Sequence, residues 1–118
     1  SQYFYGSVVS YDNSVKRNLL GVSSADLESY GAVSQQVVEQ MAKGALELLK
    51  TDYAVSVSGI AGPDGGTSEK PVGIVWIAVA SKEKILSKKV QFFNDREINI
   101  RRATNTALAM MIHFIKGE

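Results

Sequence analysis

The order of the predicted elements indicates an α/β fold of three layers, with helices on both faces of a sheet that contains at least one antiparallel strand. Three observations support this prediction. The elements follow the order strand, helices, strand, strand, strand, helix. Residues 72–80 are nearly all apolar, which is typical of a central strand covered on both faces. The chain is 118 residues long and 45% hydrophobic, which predicts one domain over residues 1–118 with a core of its own.

The first third of the chain predicts one strand and two short helices. Residues 4–11 are rich in β-branched and aromatic side chains, which favours a strand. Two short helical patterns follow. Each begins after a polar residue that can cap a helix and ends at a glycine. These residues are Asp12 or Asn13 with Gly21 for the first helix, and Ser23 or Ser24 with Gly31 for the second.

The clearest helix pattern begins after Ser34, which is the predicted N-cap, and ends at Thr51 and Asp52. Its apolar side chains recur at the spacing of one helical face: Val37, Val38, Met41, Ala42, Ala45, Leu48 and Leu49. Strands are predicted at residues 53–58, 72–80 and 85–93, with a turn at 81–84.

Asn94 or Asp95 is the predicted cap of a last helix. We expect its core-facing set to be Ile98, Ala103, Ala107, Leu108, Met111, Ile112 and Ile115.

Composition excludes several classes of function. The net charge of +1 gives no concentrated basic face for a nucleic acid, and no apolar run is long enough to span a bilayer. The chain has no cysteine, and its single histidine, His113, predicts a helix-surface or packed residue. We therefore expect no metal, no cofactor, no nucleic-acid partner and no membrane partner, with the cytoplasm as the location. A set of lysines predicts the solvent-exposed face of an edge strand: Lys82, Lys84, Lys88 and Lys89.

The most informative segment is residues 57–67, Val-Ser-Gly-Ile-Ala-Gly-Pro-Asp-Gly-Gly-Thr. Four glycines and a proline follow a predicted buried strand directly. Glycine permits close approach of a ligand to the backbone, and open α/β sheets bind small molecules just beyond their strand ends. The alternative is a long turn between two strands.

Several segments together resemble the C-terminal domain of the CinA family (competence/damage-inducible protein), also known as the nicotinamide-nucleotide amidase PncC family. The strongest match is the 57–66 segment, continued by Glu-Lys-Pro-Val-Gly at 69–73. The other matching segments are residues 3–16, 19–22, 31–34 and 41–45. The resemblance implies a three-layer α/β/α sandwich with a mixed, mostly parallel sheet.

The resemblance also implies an activity, namely hydrolysis of the carboxamide of nicotinamide mononucleotide to nicotinic acid mononucleotide and ammonia. The family uses a serine nucleophile with a lysine partner, and Lys16 matches that lysine. To accept a proton from serine the amine must be neutral, so its pKa must lie several units below the usual value of about 10.4. The alternative is a solvated surface lysine.

The family's serine lies in a Glu-Ser-Cys-Thr-Gly-Gly motif upstream of the segment that matches residues 1–16, and the 118 residues do not contain it. We therefore expect an N-terminally truncated chain that lacks the family's first strand and helix and is inactive alone. Three hypotheses follow: an incomplete amidohydrolase, a nucleotide-binding module without turnover, and a homo-oligomerising remnant whose uncovered apolar surface seeks a partner.

Substrate-binding candidates come from three places in the chain. Tyr11 and Asn13 are expected to orient the substrate or the lysine, with a half-buried strand end and a helix cap as the alternatives. Arg96 and Arg101 suit a nucleotide phosphate, with surface charges as the alternative.

The loop supplies the remaining candidates. Its backbone N–H groups suit an oxyanion or phosphate, while Ser58 is expected to form hydrogen bonds because it lacks the Gly-x-Ser-x-Gly setting of a nucleophile. These loop residues are Ser58, Gly59, Ala61 and Gly62, with Gly65 and Gly66 as the lip of the site.

Overall fold

The computed structural model describes residues 13–60, 70–92 and 95–117, without the side chain of Asn13. The predicted strand at residues 4–11 lies outside this part of the chain. The described elements are α1 Asn13–Asn18, α2 Ser24–Tyr30, α3 Gln35–Leu49, β1 Ala54–Gly59, β2 Ile74–Ala80, β3 Ile85–Gln91 and α4 Arg96–Lys116.

The helices begin where their capping residues predict. The side chains of Ser23, Ser34 and Asp95 each accept a hydrogen bond from a backbone N–H three residues further on. Each bond satisfies an N–H group that has no partner inside the helix. Gly31 ends α2 with a φ of 79°, a conformation that favours glycine. The predicted starts of α2, α3 and α4 are therefore confirmed, whereas Asp12 and the side chain of Asn13, the predicted caps of the first helix, lie outside the described residues.

The α/β class is confirmed, but the pairing of the described strands differs from the expected mostly parallel sheet. The strand order is β1-β2-β3, and both pairs are antiparallel. A parallel pair needs a crossover connection, usually a helix. Here Ile60 N donates to Ile74 O and Gly73 N donates to Ile60 O, which closes the first connection at its base, and Ser81 N donates to Lys84 O across the second.

Strand β2 is covered on both faces, as its apolar sequence predicts. Val75, Ile77 and Val79 pack against α4. Ala78 and Ala80, on the opposite face, pack against α3. Helices therefore lie on both sides of the sheet, which confirms the three-layer arrangement.

Helix α3 packs on two sides. Val38 contacts the sheet, and its carbonyl accepts a hydrogen bond of 2.6 Å from the buried Ser56 Oγ of β1. The other side of α3 presents Val37 and Met41 to an apolar cluster that also contains Leu20. Helix α2 and the segment that follows α1 are thereby attached to the outside of α3.

The expected core face of α4 was partly wrong. Leu108, Ile112 and Ile115 are 59%, 53% and 51% exposed. The buried set is Asn99, Ala103, Ala107, Met110 and Phe114. The helix carries two adjacent apolar stripes about 100° apart, so periodicity alone does not choose between them. The stripe that faces inward includes Phe114, whose ring contacts the Tyr53 ring edge-to-face at 6.2 Å.

The lysines of β3 are exposed as expected, and Lys89 Nζ lies 6.0 Å from the centre of the Trp76 ring. No helix in the described part of the chain has both the length and the apolar character of a membrane span. Within the same ranges, His, Asp and Glu side chains form no group that could hold a metal ion.

Candidate functional site

The last residues of β1 face opposite sides of the sheet. Ser58 faces the α3 layer, where its Oγ donates a hydrogen bond of 2.8 Å to the carbonyl of Ala32. Gly59 is on the α4 side and lines a cavity. Two candidates that are neighbours in the sequence are thus separated by the sheet, because successive strand residues alternate in direction.

The cavity lies between β1 and the first half of α4 and has a volume of about 200 Å³. Most of its walls are apolar, and Asn99 and Thr104 supply polar groups. The lining residues are Val57, Gly59, Val75, Asn99, Ile100, Ala103 and Thr104. An apolar cavity with few polar groups at a strand end is typical of a small-molecule site.

Asn99 is the cavity residue that sequence reasoning missed. Its side chain is 1% exposed and takes part in an interaction, as buried polar groups normally do. Asparagine is mostly found at protein surfaces, so composition gives no reason to select it. The sequence does carry one indication that Asn99 faces inward. Asn99 lies four residues before Ala103, and residues four apart share one face of a helix.

Arg96 and Arg101 lie in the first two turns of α4, as predicted, and both are exposed. They share this helix with the cavity residues Asn99 and Ile100 but do not line the cavity. Their charges therefore stand at the end of the helix next to the cavity.

Lys16 lies in α1 and is 5% exposed, which excludes the alternative of a solvated surface lysine. Its side chain is engaged in an interaction, and its backbone carbonyl accepts a hydrogen bond of 2.9 Å from Val22 N. Burial disfavours the charged form of an amine, which is the direction that a proton-accepting lysine needs.

The remaining candidates fall on parts of the chain that the structure does not describe. They are Tyr11, Ala61, Gly62, Gly65 and Gly66, together with the side chain of Asn13. Asn13 itself is the first residue of α1, three positions before Lys16.

Gly59→Ala is expected to destabilise the chain by about 1–3 kcal/mol and to reshape the cavity. A Cβ at this position would lie 2.7 Å from Val75 Cγ2 and 2.9 Å from the carbonyl oxygen of Ile74. The oxygen belongs to the backbone of the central strand and cannot turn away. Urea unfolding of the two proteins measures the difference.

Val75→Ala in the Gly59→Ala background is the matched control. Val75→Ala removes one of the two close atoms. Adding Gly59→Ala to a Val75→Ala chain should therefore lower the free energy of unfolding by less than adding it to the unaltered chain. Gly59→Ala with unchanged stability would contradict the close approach between β1 and β2.

The fold is a three-layer α/β domain with a mostly apolar cavity beside the end of β1. The family model described as "CinA C-terminal domain" matches the sequence of residues 1–115. The chain therefore belongs to this family.

Its relatives differ in length. "Nicotinamide-nucleotide amidohydrolase PncC" of Enterobacter agglomerans is 50% identical over 119 residues, which cover 99% of this chain and 73% of that protein. A "CinA-like protein" of Rippkaea orientalis is 49% identical over 111 residues, 93% of this chain but 27% of that protein. The chain thus spans about a quarter of the latter.

Solved structures agree with the family. Competence/damage inducible protein CihA from Agrobacterium tumefaciens superposes with a TM-score of 0.86 at 42% identity, over 88% of this chain and 64% of that chain. A CinA superfamily protein from Escherichia coli gives a TM-score of 0.83 at 34% identity, over 88% and 60%. The chain accounts for less than two thirds of each structure.

Proposed function

We propose that residues 1–118 form the substrate-binding and lysine-bearing part of an amidohydrolase that acts on nicotinamide mononucleotide. The observation that carries this proposal is the 50% identity, over 99% of the chain, with a protein named nicotinamide-nucleotide amidohydrolase. Burial of Lys16 supports it, because a family lysine that accepts a proton needs an environment that disfavours its charge.

The proposed chemistry is acyl transfer by a serine-lysine pair. The neutral amine of Lys16 takes the hydroxyl proton as the serine oxygen attacks the carboxamide carbon. The C–N bond breaks, the lysine returns the proton, and ammonia leaves. Water then hydrolyses the ester, which releases nicotinic acid mononucleotide and the free serine. The family's serine motif is absent from the 118 residues, so a complete site requires a segment that carries it.

The site residues divide the substrate among them. Lys16 does not line the cavity between β1 and α4, and the segment that follows α1 packs on α3, on the opposite face of the sheet. We therefore assign the reacting carboxamide to the α3 face, with Lys16, and not to that cavity. Arg96 and Arg101 lie in the first two turns of α4, where their charges suit the phosphate. We assign the oxyanion to backbone N–H groups of Ser58, Gly59, Ala61 and Gly62, the lip of the site to Gly65 and Gly66, and orientation of the substrate or lysine to Tyr11 and Asn13.

Two other functions each have an observation in their favour. The exposed arginines Arg96 and Arg101 in the first two turns of α4 favour a module that binds the nucleotide without turnover, because an anion site needs no nucleophile. The exposed side chains of Leu108, Ile112 and Ile115 on α4 favour self-association, because adjoining exposed apolar groups lower their free energy by mutual burial.

Ammonia release from nicotinamide mononucleotide separates these functions. We expect no release from the 118-residue chain, and release when a family segment containing Glu-Ser-Cys-Thr-Gly-Gly precedes residue 1. Calorimetric titration of the 118 residues with the same nucleotide should show binding. A chain that neither binds the nucleotide nor gains turnover with the added segment would refute the proposal. Sedimentation at micromolar concentration tests self-association, which a monomer would exclude.

A further inference from the structure

Three consecutive backbone carbonyls, those of Tyr30, Gly31 and Ala32, accept hydrogen bonds from three side chains. Lys70 Nζ donates to Tyr30 O. Ser34 Oγ donates to Gly31 O at 2.8 Å, and Ser58 Oγ donates to Ala32 O at 2.8 Å. We call this group of three carbonyls and three donors the carbonyl clamp. The three carbonyls belong to the last residue of α2 and to the two residues that follow it.

The clamp joins parts of the chain that are far apart in the sequence. Ser58 is 26 residues from its acceptor, and Lys70 is 40 residues from its own. One donor precedes the Gly-rich stretch and the other follows it. The clamp therefore attaches both ends of the connection between β1 and β2 to the same three residues.

A second set of bonds closes the same connection at the backbone level. Ile60 N donates to Ile74 O at 3.0 Å, and Gly73 N donates to Ile60 O at 2.6 Å. We call this backbone pair the neck. Since Ser58 is two residues before Ile60 and Lys70 is three before Gly73, the clamp holds the chain immediately beside the neck.

Gly31 is what allows Lys70 to reach its acceptor. A Cβ on Gly31 would lie 2.7 Å from Lys70 Nζ, so any other residue displaces the ammonium group. The group also sits at the carboxyl end of α2, where the last carbonyls favour a cation. The hydrogen bond from Lys70 to Tyr30 O thus depends on two residues: Lys70 supplies the ammonium group, and Gly31 leaves the space that it occupies.

We infer that the carbonyl clamp positions the described end of β1, Ser58 to Ile60, for nucleotide binding, with Lys70 and Gly31 as positioning residues that need not touch the substrate. The inference rests on the proposed function, in which backbone N–H groups of Ser58 and Gly59 receive the substrate. Loss of the clamp frees the neck while the core of β2 stays closed, so its effect is local.

Four variants of the chain test this inference. Lys70→Met removes the ammonium group and keeps an unbranched side chain, whereas Lys70→Arg retains a donor. Gly31→Ala displaces Lys70 and also strains the backbone, because Gly31 has a φ of 79° and a ψ of 168°, so Lys70→Met is the variant that isolates the ammonium group. Gly21→Ala is the matched control, because Gly21 also has a positive φ, of 69°, but a Cβ there meets nothing within 4 Å.

Native-state hydrogen exchange is the first measurement. We expect the amides of Ile60 and Gly73 to exchange about tenfold faster in Lys70→Met and in Gly31→Ala, and Ile77 in the core of β2 to be unchanged. Gly21→Ala and Lys70→Arg should leave the neck amides as they are. Unchanged neck amides in Lys70→Met, or equal acceleration at Ile77, would overturn the inference.

Calorimetric titration with nicotinamide mononucleotide is the second measurement. Lys70→Met should bind about five- to tenfold more weakly, with affinity restored in Lys70→Arg. Equal affinity in all four variants would overturn the link between the clamp and the site. If the unaltered chain binds no nucleotide, the proposed function fails, and the neck amides alone decide whether the clamp positions the end of β1.

Discussion

Replacing Lys16 with Met is expected to lower hydrolysis of nicotinamide mononucleotide at least about 10³-fold in a chain that carries the family's serine segment. The substitution removes the amine that takes the serine proton and later gives it to the leaving ammonia. Methionine fills similar space, which suits a side chain that is 5% exposed. Ammonia release under saturating substrate measures kcat, and calorimetry should show that nucleotide binding persists.

Lys43→Met is the matched control for this prediction. Lys43 is also partly buried, and its Nζ donates a hydrogen bond of 3.0 Å to the carbonyl of Ser81, but it has no role in the proposed chemistry. Its loss should cost some stability and leave kcat unchanged. Lys16→Arg adds a second test, since it keeps a positive charge that does not deprotonate. If either Lys16 variant folds and keeps kcat within threefold, Lys16 is not the base.

Gly44→Ala is expected to destabilise the chain by at least about 3 kcal/mol, the upper end of the range for overpacking. A Cβ on Gly44 would lie 2.6 Å from the carbonyl carbon of Leu20 and 2.7 Å from its Cα. These are backbone atoms, so α3 and the segment after α1 must move apart. The apolar cluster that joins Leu20 to Val37 and Met41 would open with them. Urea unfolding provides the free energy.

In an isolated helix the same substitution would be favourable by about 1 kcal/mol, because alanine has a higher helix propensity than glycine. The two effects have opposite signs, which makes the experiment decisive. Glu47→Ala, at an exposed position of α3, is the matched control and should leave stability within about 0.5 kcal/mol. A Gly44→Ala chain as stable as the parent would show that Leu20 does not pack on α3 as described.

Much of the fold follows from patterns within a few residues. A cap acts on an N–H three residues further on, so Ser34 and Asp95 mark helix starts in the sequence itself. The uninterrupted apolar run of β2 likewise predicts a strand covered on both faces. The family also follows from short motifs, and the match over residues 1–115 confirms it.

Other features depended on contacts between distant residues. Two apolar stripes on α4 were equally compatible with helical periodicity, and packing of Phe114 beside Tyr53 accompanies the one that faces inward. The antiparallel direction of the β1–β2 pair depended on the backbone hydrogen bonds between Ile60 and residues 73 and 74. The conformational preferences of single residues do not predict these bonds. Residue type alone favoured an exposed Lys16, and its surroundings bury it.

The candidate site shows the same division. The sequence by itself determined that glycines follow β1 and that a family lysine precedes them. Only the tertiary structure separated Ser58 from Gly59 across the sheet, added Asn99 to the cavity and brought Lys70 to the carbonyl of Tyr30. The physical reason is range: capping and periodicity act within about four residues, whereas these contacts form only after folding has closed loops of 26 and 40 residues.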